Sequence, residues 1–90
     1  MSEQMFLQFV LGLAHSGMVQ LGKVMNPVTQ NVERDLDAAK ATIDLLMLLR
    51  DKTKGNLSKT EQDILASSLS SLQLNYVDEM QKNGQAEAKS

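Results

Sequence analysis

The 90-residue sequence contains no cysteine and no tryptophan, a single proline and a single histidine, and only 3% aromatic residues. Without cysteine there is no disulfide framework, no thiolate zinc site and no thiol nucleophile. One histidine leaves no two-histidine metal site. An active site needs a nucleophile with its base, paired carboxylates in a pocket, or a metal set. On a helical wheel His15 shares its stripe with Gln4, Gln8 and Gly22, none of which is a carboxylate. The acidic pairs Asp35 with Asp37 and Asp78 with Glu79 lack the i,i+4 spacing that aligns side chains on a helix. No glycine-rich phosphate loop occurs. The net charge of -2 and the pI of about 5.2 offer no basic surface for nucleic acid. These absences predict a protein that is not an enzyme and that has no cofactor, no metal and no nucleic-acid partner. Zero cysteine also fits a cytoplasmic location.

What is present is apolar residues, 42% of the chain, at helical spacing. No segment alternates with period two, so an all-α fold is expected. The first helix is predicted over about 3–23. Phe6, Phe9, Val10, Leu13, Ala14, Gly17 and Leu21 occupy one side, and Leu7, Leu11 and Met18 widen it beyond the stripe of an ordinary surface helix. Gly12, Ser16 and Gly17 are costly in a helix interior unless another backbone comes close. The acidic flank Ser2-Glu3-Gln4 lacks the basic start of a secretory signal. Gln8, His15, Ser16 and Gln20 interrupt the run before it reaches the roughly 20 apolar residues of a spanning helix. A helix lying on a membrane surface remains an alternative, but its polar edge carries only Lys23.

Val24 to Arg34 reads as a connector opened by the Asn26-Pro27 turn signal, and is the segment expected to be most mobile. The second helix is predicted over about 36–54, with Asp35 as N-cap and Gly55 supplying the left-handed C′ position. Leu36, Ala39, Ile43, Leu46 and Met47 form its inner face, while Leu45, Leu48 and Leu49 stand off it. The third helix is predicted over about 59–82, opened by the Ser58–Glu61 capping box and ended at Asn83-Gly84. Its stripe is Leu65, Leu69, Leu72, Tyr76 and Met80, extended by Val77, with Ser67, Ser68, Ser70 and Ser71 solvated. The link around Gly55 to Leu57 is so short that helices two and three form an antiparallel αα-hairpin, across which helix one packs. One domain is expected over 1–84, followed by a flexible tail over 85–90. Of the six methionines, Met18 and Met47 fall in core patterns and read as gap-fillers.

Ala39-Lys40-Ala41-Thr42-Ile43-Asp44-Leu45-Leu46 leads into Leu48-Leu49, then Lys52-Thr53-Lys54-Gly55-Asn56-Leu57 and Glu61. With Phe9-Val10-Leu11, Leu21-Gly22 and Leu72-Gln73-Leu74-Asn75-Tyr76-Val77, this pattern resembles the bacterial family known as domain of unknown function 1844, from roughly Phe6 to Val77. The Lys-Thr-Lys-Gly-Asn-Leu stretch is its most specific piece. The resemblance implies a small helical protein with no assigned activity, and it supplies no catalytic or binding residue.

Two surfaces could carry a function. Phe6, Phe9, Val10, Leu13 and Gly17 of helix one, with Leu45, Leu48 and Leu49 of helix two, exceed what one small core needs. They predict self-association, most simply as a two-fold dimer. Lys52, Lys54 and Lys59 surround Gly55 and Asn56 beside the opening of helix three, an arrangement that could hold a small anion or phosphate.

Overall fold

A computed structural model describes the backbone of residues 2–89 and the side chains of residues 2–82. Three helices form: α1 (Glu3–Gln20), α2 (Leu36–Lys52) and α3 (Lys59–Lys89), with no strand among the described residues. Each begins where its sequence supplies a cap. Ser2 Oγ accepts the Met5 amide at 3.1 Å, and Asp35 Oδ1 accepts the Ala38 amide at 3.1 Å. At α3 the capping box closes both ways: Glu61 N–H donates to Ser58 Oγ, and Ser58 N–H donates to Glu61 Oε1 at 2.7 Å.

Two helix ends fall earlier than the hydrophobic pattern predicts. Gly22 adopts φ +78°, and its amide donates to the Val19 carbonyl while the Lys23 amide donates to the Met18 carbonyl. This pair of bonds is a Schellman motif, so α1 stops at Gln20 although apolar periodicity runs on to Leu21. At the end of α2, Thr53 Oγ1 donates to the Leu49 carbonyl at 2.7 Å and caps the helix. Gly55 is left-handed at φ +86° as expected, but it sits in a following turn closed by Asn56 N–H to the Thr53 carbonyl. In contrast, α3 runs through Asn83-Gly84 to Lys89, because one interior glycine costs a helix only about 1 kcal/mol. The predicted tail over 85–90 falls on residues whose side chains, and Ser90 entirely, lie outside the described residues.

The three helices pack pairwise around Phe6, Val10, Leu21, Ala39, Ile43, Leu46, Leu65, Leu69 and Leu72. Thr42 Oγ1 donates to Gln20 Oε1 at 2.6 Å, which joins the end of α1 to α2. Gly17 lies against Leu72: a Cβ built there would come within 2.7 Å of Leu72 Cδ2. The close approach predicted for helix one therefore occurs at Gly17, whereas a Cβ on Gly12 would meet nothing within 4 Å. Ser68 is buried rather than solvated, and Val77 and Met80 are exposed. The 3.6-residue period explains this, because from Leu72 it leads through Tyr76 to Glu79 rather than to Met80.

The connector is a closed loop. Asn26 N–H donates to the Asn31 carbonyl, Gln30 N–H donates to the Asn26 carbonyl, and Asn26 Oδ1 accepts the Val28 amide at 2.9 Å. Asp35 N–H returns to the Gln20 carbonyl at 2.8 Å, so the loop ends meet.

Candidate functional site

The eight residues expected to mediate self-association divide into three groups. Phe6, Val10 and Gly17 are buried in the protomer's own core and offer nothing to a partner. The reason is that α1 turns its most apolar stripe towards α2 and α3 together. Leu13 and Leu49 are partly buried against that core, and Phe9, Leu45 and Leu48 are 53%, 45% and 51% exposed.

The Gln20–Thr42 bond shows which flanks these exposed residues share. Phe9 lies about 20° from Gln20 around α1, on the α2 side. On α2, Met47 meets Gln73 of α3, and Leu45 lies on the opposite flank, towards and beyond α1. The chain turns back after α1, with the Asp35 amide on the Gln20 carbonyl and Thr42 on Gln20, so helix geometry puts Gly12 and Ser16 about level with Leu48 and Leu45. One outer surface therefore combines a ridge of leucines on α2 with a furrow of small residues on α1, and Met5 and Phe9 border it. Among the described residues eleven large apolar side chains are exposed against eight, with Ala39, in the core, so excess apolar surface is a property of the folded chain.

The Lys52–Lys59 turn is less suited to an anion than its sequence suggests. Lys59 Nζ donates to Asp63 Oδ2 at 3.0 Å, and the opening of α3 is already occupied by Ser58 and Glu61. Lys52, Lys54, Gly55 and Asn56 are all exposed. Beside the turn lies a cleft of about 610 Å³ lined by Arg50, Lys54, Leu57, Leu65 and Ala66, among others. Of the five residues expected at the turn, only Lys54 and Gly55 line it.

A third cluster joins the connector to α3 around a buried carboxylate. Glu79 is buried, with its side chain 8% exposed, and it faces three cations. Lys23 Nζ lies 2.7 Å from Glu79 Oε2, Arg34 Nη1 lies 3.2 Å from Oε1, and Lys82 Nζ lies 3.2 Å from Oε2. Lys23 also donates to Asp78 Oδ2 at 2.7 Å. The Schellman turn at Gly22 aims Lys23 at this site, so the cluster fastens both ends of the connector to α3. Hydrogen bonds from Lys23, then from Lys82, hold the Asp78 carboxyl below its ordinary value, and Lys23 does the same for Glu79 against the opposing effect of burial. Lys23 is correspondingly raised, first by Asp78 and then by Glu79. The sequence signal was there: Glu79 follows Leu72 by seven residues, a charge in a core position of the stripe.

These shifts fix the sign of a pH dependence. A carboxylate depressed in the folded state stabilises above its unfolded value, and that stabilisation disappears as pH falls through the folded value. Thermal midpoints followed by circular dichroism should fall as pH drops below about 4.5, the ordinary glutamate value. In Glu79→Gln this acid decline should be shallower. An unchanged slope would show that the cluster does not couple to folding.

Among the described residues no group of three or more histidine, cysteine, aspartate or glutamate side chains could hold a metal, and no helix is long and apolar enough to cross a membrane. No curated protein matches the chain, and no solved structure does. The family model described as domain of unknown function (DUF1844) matches residues 3–79, which takes in all of α1 and α2, the turn and, of the Glu79 cluster, every member but Lys82. The chain belongs to the DUF1844 family.

Proposed function

We propose that the protein is a non-catalytic cytoplasmic interaction module that pairs with a second copy of itself through the outer surface of α1 and α2. The observation that carries this reading is the exposure of Leu45 and Leu48 beside an α1 flank on which Gly12 has open space. Ridge and furrow lie on the same face, so a two-fold rotation brings the leucines of each copy over the small residues of the other. Such self-complementarity is what an isologous dimer requires. Further exposed apolar groups are Leu11 on α1, Met25, Val28 and Val32 on the connector, and Leu74, Val77 and Met80 on α3.

Sedimentation velocity over a micromolar to high-micromolar series tests the proposal. The wild-type chain should move from monomer towards dimer as concentration rises. Leu48→Lys should weaken the dimer about a hundredfold, since it places a charge in an apolar contact on both sides of the axis. Its circular dichroism should be unchanged, because Leu48 is half exposed in the protomer. A wild-type chain that stays monomeric throughout removes the proposal, as does a Leu48→Lys chain that dimerises like wild type.

A further inference from the structure

The cleft beside the α2–α3 turn has an unusual division of polarity. Its floor is the buried Leu65, and Leu57 and Ala66 complete the apolar lining. Its rim carries Arg50, Asp51 and Lys54. Arg50 Nε lies 3.4 Å from the neighbouring Asp51 carboxylate, a long contact between two exposed groups. Lys54 makes no ion pair among the described residues. Two cations against one carboxylate leave the rim with one net positive charge above an apolar base. The volume, about 610 Å³, is in the range of small-molecule sites. Thr53 is occupied with the Leu49 carbonyl, and the Gln62 side-chain amide donates to the Leu57 carbonyl, so the polar groups around the mouth already have partners. Nothing else in the fold requires Lys54 to stand at this edge: α2 ends at Lys52, and its last turn already contains Arg50 and Lys52.

We propose that this cleft binds a small amphipathic monoanion, a linear carboxylate whose alkyl chain lies on Leu57, Leu65 and Ala66 and whose head meets Lys54 and Arg50. One head charge matches the net rim charge, and the apolar floor excludes fully hydrated ions such as free phosphate. The site is distinct from the dimer face. On α2, Arg50 points about 160° away from Leu48, so ligand binding and self-association use opposite sides of the helix.

Octanoate, octanol and inorganic phosphate, each titrated into ¹⁵N-labelled protein, test the proposal. Octanoate should shift the amides of Lys54, Gly55, Leu57 and Ala66 saturably, while octanol should bind about tenfold more weakly for lack of the charged contact. Phosphate should leave these signals in place. Ala66→Phe, at an exposed position that fills the cleft, should abolish the octanoate shifts. Lys54→Gln, on the exposed turn and outside both helices, should weaken binding about tenfold with the spectrum otherwise unchanged. No saturable octanoate shift, equal shifts with phosphate, or full octanoate binding by both variants would each overturn the proposal.

Discussion

Leu46→Ala is expected to lower the thermal midpoint by roughly 15–25 °C. Leu46 is 0% exposed and lies on α2, which packs against both α1 and α3 as each helix does against the other two. Removing a buried leucine side chain loses its transfer free energy and leaves a cavity, together about 3–4 kcal/mol at a site that cannot collapse. Collapse here would require moving α1 and α3 together, and Gly17 already lies against Leu72 with no slack. A domain of this size has a total stability of about 5–13 kcal/mol, so the change removes a large share of it. The matched control is Leu48→Ala, two residues on. The chemistry is identical, but a half-exposed side chain should cost the protomer less than about 1 kcal/mol. Both are measured by thermal and urea unfolding at one fixed dilute concentration, because a dimer would add a concentration-dependent contribution. Equal losses in the two variants would mean that α2 is not seated as described.

The contrast between Leu46 and Leu48 also shows what the sequence could and could not reveal. Three helices, the Asp35 cap, the Ser58–Glu61 box and the hairpin were readable because each depends on residues within one or two turns of each other. The inner face of α2 was readable because five apolar residues keep a 3.6-residue phase. Leu45 and Leu48 stood out for breaking that phase. On α1, however, apolar residues cover more than half the wheel, and periodicity alone cannot decide which part of so wide a face meets the protomer. Such a face offers Phe6, Val10 and Gly17 to a partner as readily as to the core; the burial of Phe6 and Val10, and the approach of Leu72 and Thr42 to Gly17, place them in the core. The Lys23–Glu79 cluster was hidden differently. Its two connector cations lie 45 and more residues from their partners on α3, and nothing local announces that the Schellman turn at Gly22 aims Lys23 back at α3. At the Lys52–Lys59 turn the charges were visible, but the choice of Asp63 by Lys59 and the apolar cleft beside Lys54 depend on how the two helices meet.

Gly12→Leu should separate folding from association, and it does so by moving them in opposite directions. Within one protomer a Cβ at residue 12 meets nothing within 4 Å, so a larger side chain projects into open space. Replacing an interior helical glycine with leucine then stabilises the helix by about 0.8 kcal/mol, since the new residue has far less backbone entropy to lose. The protomer measured at high dilution should unfold a few degrees higher than wild type. In the proposed dimer the same side chain fills the furrow that receives Leu48 of the partner subunit. Overpacking a contact costs about 1–3 kcal/mol, and the two-fold axis imposes it twice, so the dimer should weaken about a hundredfold or more. Gly17→Leu is the necessary contrast. There the side chain would strike Leu72 inside the core, so stability itself should fall and the association result would be uninterpretable. A variant that is more stable as a monomer and less able to pair cannot be explained by damage to the fold. Sedimentation equilibrium paired with dilute thermal unfolding reads both quantities. Undiminished pairing by Gly12→Leu would place the dimer contact somewhere other than the α1–α2 surface.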